Sequence, residues 1–449
     1  MLATRLASIW LALGLLACTD ALNETTEPPN IILLIADDQG YRDFGFMGSP
    51  HVHTPNLDRL AEGGTVFTLA HNTSSECKRS LNTLLTGLYP YQWELMLGLA
   101  ARAPRPQQPI QVLRAYDTLP RQLARAGYVS FEGGKYWLGT LRTGGFSEGM
   151  VTRRSNPLAP GDEGSRLGRE TLEPVLSFID RHEQQRFFMW IAPKLPHLPH
   201  DAPARYFEPY SEAELTMPAE RYFAACTWLD AVVGELLAHL EKRGLRERTL
   251  VVFLSDNGWD QPHDREIGNR SGFLLGGPRG KFSMHDAGFR TPIVFNWPAR
   301  VPAGKRIDEL VSTVDLFPTL IELAGLPERP ELPGRSLLPL MEGSSEPLRE
   351  FLVGDMVSLR DDETGPSSRR AVVPASASYL RNRGWHFIRY ETWDRVSLYD
   401  MRSDPEEQHD VSAEHPELVR RFAAEIEGWR GAMRVTARNL VPPRGRKRP

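Results

Sequence analysis

The run NIILLIADD, from Asn30 to Asp38, decides the fold of this chain. Its apolar residues, rich in isoleucine and leucine, stand between polar residues, which is typical of a short strand buried on both faces of a parallel sheet. Asp37 and Asp38 follow at its carboxyl end, the edge at which open α/β sheets bind ligands. Adjacent carboxylates at a buried edge require a cation or strong donors, so the run predicts a hard divalent metal. The alternative is a helix N-cap followed by an acid in a solvated loop.

A second strand end repeats this pattern. The apolar run from Val251 leads through Ser255 into Asp256, Asn257 and a turn glycine. If both strands lie in one parallel sheet, their polar ends meet around a single ion. That ion would be held by Asp37, Asp38, Asp256 and Asn257. Four oxygen ligands without cysteine or histidine favour Ca²⁺ or Mg²⁺ over Zn²⁺.

These strand ends belong to a series of motifs that runs along most of the chain. In order they are NIILLIADDQGYRDFG (30–45), HTPNLDRLAEGGTVFTLAH (53–71), CKRSLNTLLTGLYP (77–90), TLPRQLARAGYVSFEGGKYWLG (118–139), PHLP (196–199), FLSDNG (253–258), GKFSMHDAGFRTPIVFNWP (280–298), VSTVDLFPTLIELAGLP (311–327) and SLYDMRSDPEEQHDV (397–411). Together they resemble the sulfatase family of the alkaline phosphatase superfamily. The resemblance implies an α/β fold with a large, mostly parallel sheet flanked by helices, plus a smaller C-terminal antiparallel sheet with a helix.

The resemblance places the nucleophile at Cys77. The family signature reads Cys or Ser, any residue, Pro, any residue, Arg, and its cysteine is oxidised after translation to formylglycine. Here Arg79 stands in place of the proline and Leu81 in place of the arginine. Trp137 stands where the family has a histidine that contacts the nucleophile, and Asp286 replaces a glutamate. Weak activity on generic aryl sulfates is therefore expected.

Three states of Cys77 are compatible with the sequence. The first is formylglycine. The second is an unmodified thiol, whose pKa should be lowered at a helix N-terminus near a cation and basic side chains. A thiolate that attacks a sulfate ester cannot release the sulfate as a formylglycine hydrate does, so turnover would be slow. The third is a small buried residue in a site without catalysis.

The resemblance also supplies ligands for the substrate sulfate, namely Lys135, His197 and Lys281. A sulfate oxyanion needs compact positive charge around it, and His197 could bind the sulfate or protonate the leaving oxygen. Arg79 adds a cation beside the nucleophile and is counted with the substrate-binding residues. Without the family pattern, the lysines would be solvated side chains and His197 an ordinary loop histidine.

The N-terminus has the pattern of an exported lipoprotein. Residues 1–17 combine a basic residue with an apolar stretch too short to span a bilayer. The sequence Leu15-Leu16-Ala17-Cys18 resembles a bacterial lipobox, so we expect cleavage before Cys18 and acylation of that cysteine. A polar tether follows over 18–29. The protein would reach the periplasm or the cell surface and touch the membrane only through its lipid anchor. The alternative is a plain secretory signal.

Three further segments follow the tether. Alternation of strands and helices predicts a catalytic domain over 30–345, followed by a C-terminal subdomain over 346–435 and a basic tail over 436–449. Glycine-rich loops over 140–169 and 259–280 are candidates for substrate contacts. The formal net charge of −4, from 53 basic and 57 acidic residues, gives no case for nucleic-acid binding. The three cysteines imply no disulfide framework.

The sequence therefore predicts an exported hydrolase that cleaves the sulfate ester of a sulfated small molecule or glycan. It would use one divalent metal and a formylglycine or cysteine nucleophile. Two alternatives use the same scaffold. A phosphoester hydrolase would exploit the tetrahedral geometry that phosphate shares with sulfate, and a non-catalytic binding protein would keep the metal and the oxyanion pocket. The sequence carries no signal for an oligomeric state.

Overall fold

The computed structural model of the protein describes residues 27–99, 108–152, 161–260, 279–356 and 376–440. The predicted signal peptide, Cys18 and most of the tether lie outside these ranges, as does the end of the basic tail. Most of the predicted loop over 259–280 and part of the loop over 140–169 also lie outside them.

A nine-stranded sheet forms the centre of the larger domain. Its strands are β1 (Asn30–Ala36), β2 (Thr65–His71), β3 (Val129–Gly134), β4 (Glu148–Gly149), β5 (Phe187–Ala192), β6 (Thr249–Ser255), β7 (Arg290–Asn296), β8 (Lys305–Ile307) and β9 (Val311–Ser312). Their spatial order is β4-β3-β5-β1-β6-β7-β2-β8, with β9 also paired to β2. Strand β7 runs antiparallel to β6 and β2, whereas the other pairs are parallel. The predicted fold class is confirmed.

Strand β1 lies in the middle of this sheet and is buried along its whole length. Ile31, Leu33 and Ile35 pack into an apolar cluster on one face of the sheet. Ile32 and Leu34 pack into a second cluster on the other face. Side chains alternate between the two faces of a strand, so a strand with two cores is apolar at every position. Each of these side chains contributes about 1.5–3 kcal/mol on burial.

Helices cover both faces of the sheet. They are α1 (Pro55–Glu62), α2 (Cys77–Thr86), α3 (Pro90–Leu99), α4 (Gln108–Ala115), α5 (Leu119–Arg125), α6 (Leu141–Gly144), α7 (Glu173–Arg181), α8 (Met217–Lys242), α9 (Asp286–Phe289), α10 (Leu316–Leu323), α11 (Leu338–Met341) and α12 (Pro416–Leu440). Helices α2, α5 and α10 pack on one face, and α1, α7 and α8 pack on the other. The last helix extends to Leu440, into the segment that the sequence predicts as a basic tail.

Helix α8 is long and apolar enough to cross a bilayer by length and composition alone. However, 67% of its most apolar window is buried inside the structure. Its residues Leu229, Val233 and Leu236 pack into the apolar cluster that also contains Ile32 and Leu34 of β1. Helix α8 is therefore a core helix of the large domain.

A four-stranded antiparallel sheet forms the C-terminal unit. Its strands, in spatial order, are β10 (Leu352–Met356), β11 (Ala377–Arg381), β12 (Trp385–Tyr390) and β13 (Arg395–Asp400). One face packs against α12 through Phe422 and Ile426. The other face packs against Leu69, Met284 and Phe289 of the large domain. The small sheet thus packs against the segment between β6 and β7, which contains Met284 and Phe289.

Candidate active site

The predicted metal ligands lie together at one edge of the large sheet. Strands β1 and β6 are parallel neighbours whose last residues are opposite each other, so Asp37 and Asp256 leave the sheet side by side. The backbone N–H of Asp38 donates to Asp256 Oδ1 at 3.0 Å. These three side chains and that of Asn257 are buried. The structure therefore joins the oxygen donors that stand at two distant places in the sequence.

Two buried lysines balance these carboxylates. Lys135 follows β3, and its Nζ lies 2.5 Å from Asp37 Oδ1 and 3.7 Å from Asp256 Oδ2. Lys281 donates to both oxygens of Asp38, at 2.7 and 2.8 Å. An ammonium group has three N–H donors, so these contacts do not exhaust the donors of either lysine. We call these two lysines and the four oxygen ligands the lysine–carboxylate cluster.

Three oxygens of the cluster have no hydrogen-bond donor among the described residues, namely Asp37 Oδ2, Asp256 Oδ2 and Asn257 Oδ1. Each unpartnered buried oxygen costs about 1–3 kcal/mol. One possible ligand atom each from Asp37, Asp38 and His197 lie within 4.8 Å of one another, a group that contains His197 and not the predicted ligand Asp256. An oxygen-rich set of this kind fits Ca²⁺ or Mg²⁺. The residues present therefore fit the predicted cation.

Ionisation in the cluster depends on the cations around it. Burial and the neighbouring Asp37 raise the pKa of Asp256 to about 8. Burial also opposes ionisation of Asp38, but Lys281, His197 and Lys135 outweigh it and hold the pKa of Asp38 far below its usual range. Without a further cation, Asp256 is therefore mostly protonated at neutral pH.

Cys77 is the first residue of α2 and lies beside the cluster. The residue is 7% exposed. Burial raises the pKa of its thiol to about 11, although Lys135 and Lys281 oppose the shift. The sequence predicts a lowered pKa from the helix N-terminus, a bound divalent cation and basic side chains. Without the cation, the helix N-terminus and the lysines do not lower the pKa. The cost of desolvating a thiolate outweighs both effects at this position.

Arg79 is the predicted site residue that the structure does not bring into the cluster. Its Nε donates to Glu76 at 2.9 Å, and its Nη2 lies 3.5 Å from Glu94. Leu81, which stands in place of the signature arginine, is buried in the apolar core on one face of the sheet. At the two changed signature positions, Arg79 thus pairs with neighbouring glutamates and Leu81 packs in the apolar core.

The other two departures from the family pattern are Trp137 and Asp286, and both side chains contact neighbouring residues. Trp137 is half-buried, with its ring centroid 6.0 Å from Lys135 Nζ. The carboxylate of Asp286 accepts from His71 Nε2 at 2.7 Å and from Arg381 Nε at 3.1 Å. Asp286 therefore connects the segment that carries Lys281 to strand β11 of the small sheet.

Comparison with known proteins decides the family. The Sulfatase family model matches residues 29–326, well over half of the chain. The chain belongs to the sulfatase family. A second sulfatase model, described as N-sulphoglucosamine sulphohydrolase, C-terminal, matches residues 279–430, which include the small antiparallel sheet.

Individual sulfatases resemble large parts of this chain. The N-acetylgalactosamine-6-sulfatase of Canis lupus familiaris is 32% identical over 360 residues, which cover 71% of this chain and 66% of that protein. The N-acetylgalactosamine-6-O-sulfatase of Bacteroides thetaiotaomicron is 25% identical over 503 residues, which cover 90% of this chain and 93% of that protein. The crystal structure of Ps i-CgsB in complex with k-i-k-neocarrahexaose superposes with a TM-score of 0.71 at 25% identity, covering 93% of this chain and 98% of that one.

In this sulfatase-family chain, the segment after β5 (193–201, the rim loop) carries two histidines near the cluster. His197 Nδ1 lies 2.7 Å from the carbonyl oxygen of the next residue, which leaves Nε2 facing Asp38 Oδ2 at 3.5 Å. Sequence reasoning missed His200, whose ring centroid is 5.6 Å from that of Tyr222. Burial lowers the pKa of His200 to about 4, although Asp38 opposes the shift. The PHLPH run contains a second histidine, and this pattern could have indicated that His200 also lies near the site.

Arg169 fastens the rim loop to the rest of this sulfatase domain. Its guanidinium donates to the carbonyl oxygens of Lys194, His197 and Pro199 at 3.1, 3.0 and 2.9 Å. It also pairs with Asp201 at 2.5 Å. Sequence reasoning missed Arg169 because most of its partners are main-chain carbonyls, which no side-chain pattern reveals.

Proposed function

We propose that this chain hydrolyses sulfate esters and that its substrate is a sulfated saccharide. The observation that carries the proposal is the lysine–carboxylate cluster beside Cys77. The two lysine ammonium groups, together with a divalent cation held by the carboxylates, would supply the compact positive charge that stabilises a tetrahedral oxyanion. The saccharide is supported by two relatives named as N-acetylgalactosamine 6-sulfatases and by the neocarrahexaose bound to Ps i-CgsB.

Lys135, Lys281 and His197 are proposed to bind the sulfate group. When the nucleophile attacks sulfur, the bond from sulfur to the ester oxygen breaks and its electron pair stays on that oxygen, which then takes a proton. His197 is the candidate proton donor because its Nδ1 is engaged by the main chain, while Nε2 faces the cluster. The ring is 12% exposed, so a leaving group could reach solvent past it.

The oxygen donors are proposed to hold one divalent cation, Ca²⁺ or Mg²⁺, through Asp37, Asp38, Asp256 and Asn257. Such a cation, when bound, neutralises negative charge on the sulfate oxygens. The three unpartnered oxygens support this proposal. Lys135 and Lys281 keep two of the carboxylates in place through direct ion pairs.

Residue 77 is proposed to attack the sulfur atom after its thiol has been converted to formylglycine. A thiol with a pKa of about 11 has a thiolate fraction on the order of 10⁻⁴ at pH 7. In the cation-free site, that fraction argues against an unmodified thiolate as the nucleophile. Arg79 pairs with two glutamates and is not part of the proposed sulfate site.

A panel of three esters tests the proposed reaction. We expect turnover of 4-nitrophenyl sulfate to exceed that of 4-nitrophenyl phosphate, because the two lysines match a singly charged sulfate ester better than a dianion. Turnover of bis(4-nitrophenyl) phosphate should also be lower, because its second aryl group occupies the place of one of the three free oxygens of a sulfate ester. Turnover should rise in proportion to the fraction of residue 77 found as formylglycine by peptide mass. Faster turnover of either phosphate ester would identify a phosphoester hydrolase. Binding of inorganic sulfate without turnover of any ester would identify a binding protein.

Export and acylation at Cys18 are also proposed, on the strength of the lipobox pattern in Leu15-Leu16-Ala17-Cys18. We expect Cys18→Ala to move the protein from the membrane fraction to the soluble fraction, or to block its processing. Cys226→Ala, which changes a thiol inside helix α8, should leave the fractionation as it is. Equal membrane association of wild type and Cys18→Ala would rule out the lipid anchor.

A further inference from the structure

Lys194 is a cation at the edge of the proposed reaction site that no side chain neutralises. It lies in the rim loop between the end of β5 and His197, and it is partly exposed. Lys135 and Lys281 are each paired with a carboxylate of the cluster. Among the described residues, no carboxylate forms an ion pair with Lys194 and no acceptor takes a hydrogen bond from its ammonium group.

The backbone on both sides of the Lys194 side chain is held in place. Arg169 Nε donates to the carbonyl oxygen of Lys194 at 3.1 Å. The backbone N–H of Asp37 donates to the carbonyl oxygen of Leu195 at 2.9 Å, and the Leu195 side chain is fully buried. Since the main chain at Lys194 is held between the cluster and Arg169, its flexible side chain starts from a fixed point at the rim of the site.

The charges around Lys194 favour binding of an anion. Burial lowers the pKa of Lys194, and Arg169 and Lys135 add to the shift. Asp37 and Asp162 oppose this lowering of the pKa without forming an ion pair with the lysine. Asp37 is already paired with Lys135, and Arg169 is already paired with Asp201. A cation that is partly desolvated and has no ion-pair partner of its own gains stability when an anion joins it.

We propose that Lys194 binds a second anionic group of the substrate, beside the sulfate ester that is hydrolysed. The preferred substrate is then a saccharide that carries the scissile sulfate and another sulfate or a carboxylate on the same or the adjoining sugar. This inference rests on the proposed function, because it assigns the second anion to the substrate of the same site. Lys194 is thus a residue that determines specificity rather than one that acts on the reacting sulfur.

Matched substrates with one or two anionic groups test this assignment. The probes are N-acetylgalactosamine 6-sulfate, N-acetylgalactosamine 4,6-disulfate, and the 6-sulfated disaccharide with an adjoining uronate. We expect wild type to prefer one of the two doubly charged probes over the singly charged one by about tenfold in kcat/KM, the value of one charge-assisted hydrogen bond. A preference for the disulfate identifies a second sulfate as the ligand, and a preference for the disaccharide identifies a carboxylate.

Three variants separate the proposed role from a general effect of charge. Lys194→Gln should abolish the preference, mainly through a higher KM for the doubly charged probe, while turnover of 4-nitrophenyl sulfate stays within about twofold. Lys194→Arg should retain part of the preference. Lys242→Gln removes the same charge from the exposed end of helix α8 and should leave the preference unchanged. An equal loss on all substrates in Lys194→Gln, or an unchanged preference, would overturn the proposal.

Binding measurements keep this test separate from the test of the proposed function. If wild type turns over no sulfate ester, the proposed function fails, and calorimetry with the same three sugars still examines Lys194. We then expect about tenfold weaker binding of the doubly charged sugar in Lys194→Gln, with binding of the monosulfate unchanged. Equal affinities of wild type and variant for the doubly charged sugar would contradict the assignment.

Discussion

Replacement of Cys77 with alanine is expected to lower the turnover of sulfate esters by a factor on the order of 10³ or more, because the attacking atom is lost. Binding of inorganic sulfate should persist, since Lys135 and Lys281 are held by carboxylates and not by the thiol. Turnover is measured with 4-nitrophenyl sulfate, and sulfate binding is measured by calorimetry. Undiminished turnover in Cys77→Ala would exclude residue 77 as the nucleophile.

Cys226→Ala is the matched control for this experiment. Cys226 is also a buried thiol, but it packs with Tyr222 and Phe223 in an apolar cluster around helix α8. We expect its replacement to cost about 1 kcal/mol of stability and to leave turnover nearly unchanged. A comparable loss of turnover in both variants would mean that the effect of Cys77→Ala arises from the fold.

The pH dependence of turnover distinguishes the two possible nucleophiles at residue 77. The raised pKa of about 11 means that a thiolate would become about tenfold more abundant with each pH unit below that value. Formylglycine has no thiol, so turnover should not increase in this way. The peptide that contains residue 77 should also have lost hydrogen sulfide and gained an oxygen atom. High turnover from protein with an intact thiol would contradict the proposed mechanism.

The sequence predicts the centre of this fold because a strand with two cores has a simple signature. Every position of β1 is buried, and its side chains alternate between two clusters, so the apolar run is continuous and easily recognised. The same holds for β6. Once both strands lie in one parallel sheet, the residues after them must meet at the same edge. That reasoning brings Asp37 and Asp256 together before any coordinates are known.

Other parts of the site depend on packing that one sequence does not show. The raised pKa of Cys77 in the cation-free protein comes mainly from burial of the thiol, and a position at a helix N-terminus does not reveal how deeply the thiol is buried. The sequence suggests Arg79 as a substrate ligand because it lies two residues from Cys77. In the structure its guanidinium forms ion pairs with Glu76 and Glu94 instead. Arg169 holds the rim loop by donating to main-chain carbonyl oxygens. Since every residue has such a carbonyl, the sequence does not indicate which ones an arginine will contact.

Leu81 shows how packing also limits repair of the family signature. The sequence alone predicts that Arg79→Pro with Leu81→Arg would restore recognition of the cysteine and raise its formylglycine content. In the structure Leu81 is 5% exposed and belongs to the core cluster, so an arginine there would place a charge among apolar side chains. Folding of the repaired chain would therefore have to be checked before its activity is compared with that of wild type.

Removal of the divalent cation is expected to lower the stability of the protein, because an ion that binds only the folded state stabilises it. At a free concentration of about 100 times Kd, the gain is about 2.7 kcal/mol. We expect Ca²⁺ to raise the melting temperature of wild-type protein that has been treated with a chelator. Asp256→Ala should abolish this increase, since it removes a carboxylate from the cluster.

Asp308→Ala is the matched control, because that carboxylate is 72% exposed and lies outside the cluster. It should show the same increase in melting temperature with Ca²⁺ as wild type. If Asp256→Ala also bound Ca²⁺ as tightly as wild type, the proposed ligand set would be wrong. A response to Mg²⁺ and not to Ca²⁺ would retain the ligand set and change the ion.

The affinity for the cation should increase with pH, because the pKa of Asp256 is raised. Below its folded-state value of about 8, Asp256 is mostly protonated in the cation-free protein, so binding must displace a proton. The apparent affinity for Ca²⁺ should therefore increase by up to about tenfold per pH unit as the pH rises, and it should level off above the pKa of Asp256.

The stability of the cation-free protein should decrease as the pH rises. A carboxyl group whose pKa is raised on folding contributes stability that is present below its unfolded pKa and is lost as pH rises through its folded pKa.

Asp256→Asn isolates this contribution from that of other buried acids. Burial also raises the pKa values of Glu132 to about 8 and of Asp43 and Asp355 to about 7, so wild-type stability alone cannot be assigned to one group. The difference in unfolding free energy between wild type and Asp256→Asn, both without cation, should grow between pH 4 and pH 8 by up to about 1.4 kcal/mol per unit. The asparagine variant becomes relatively more stable as pH rises, because it carries no buried charge. Chemical denaturation at several pH values measures this difference, and a difference that does not vary with pH would mean that Asp256 is already ionised by its lysine neighbour.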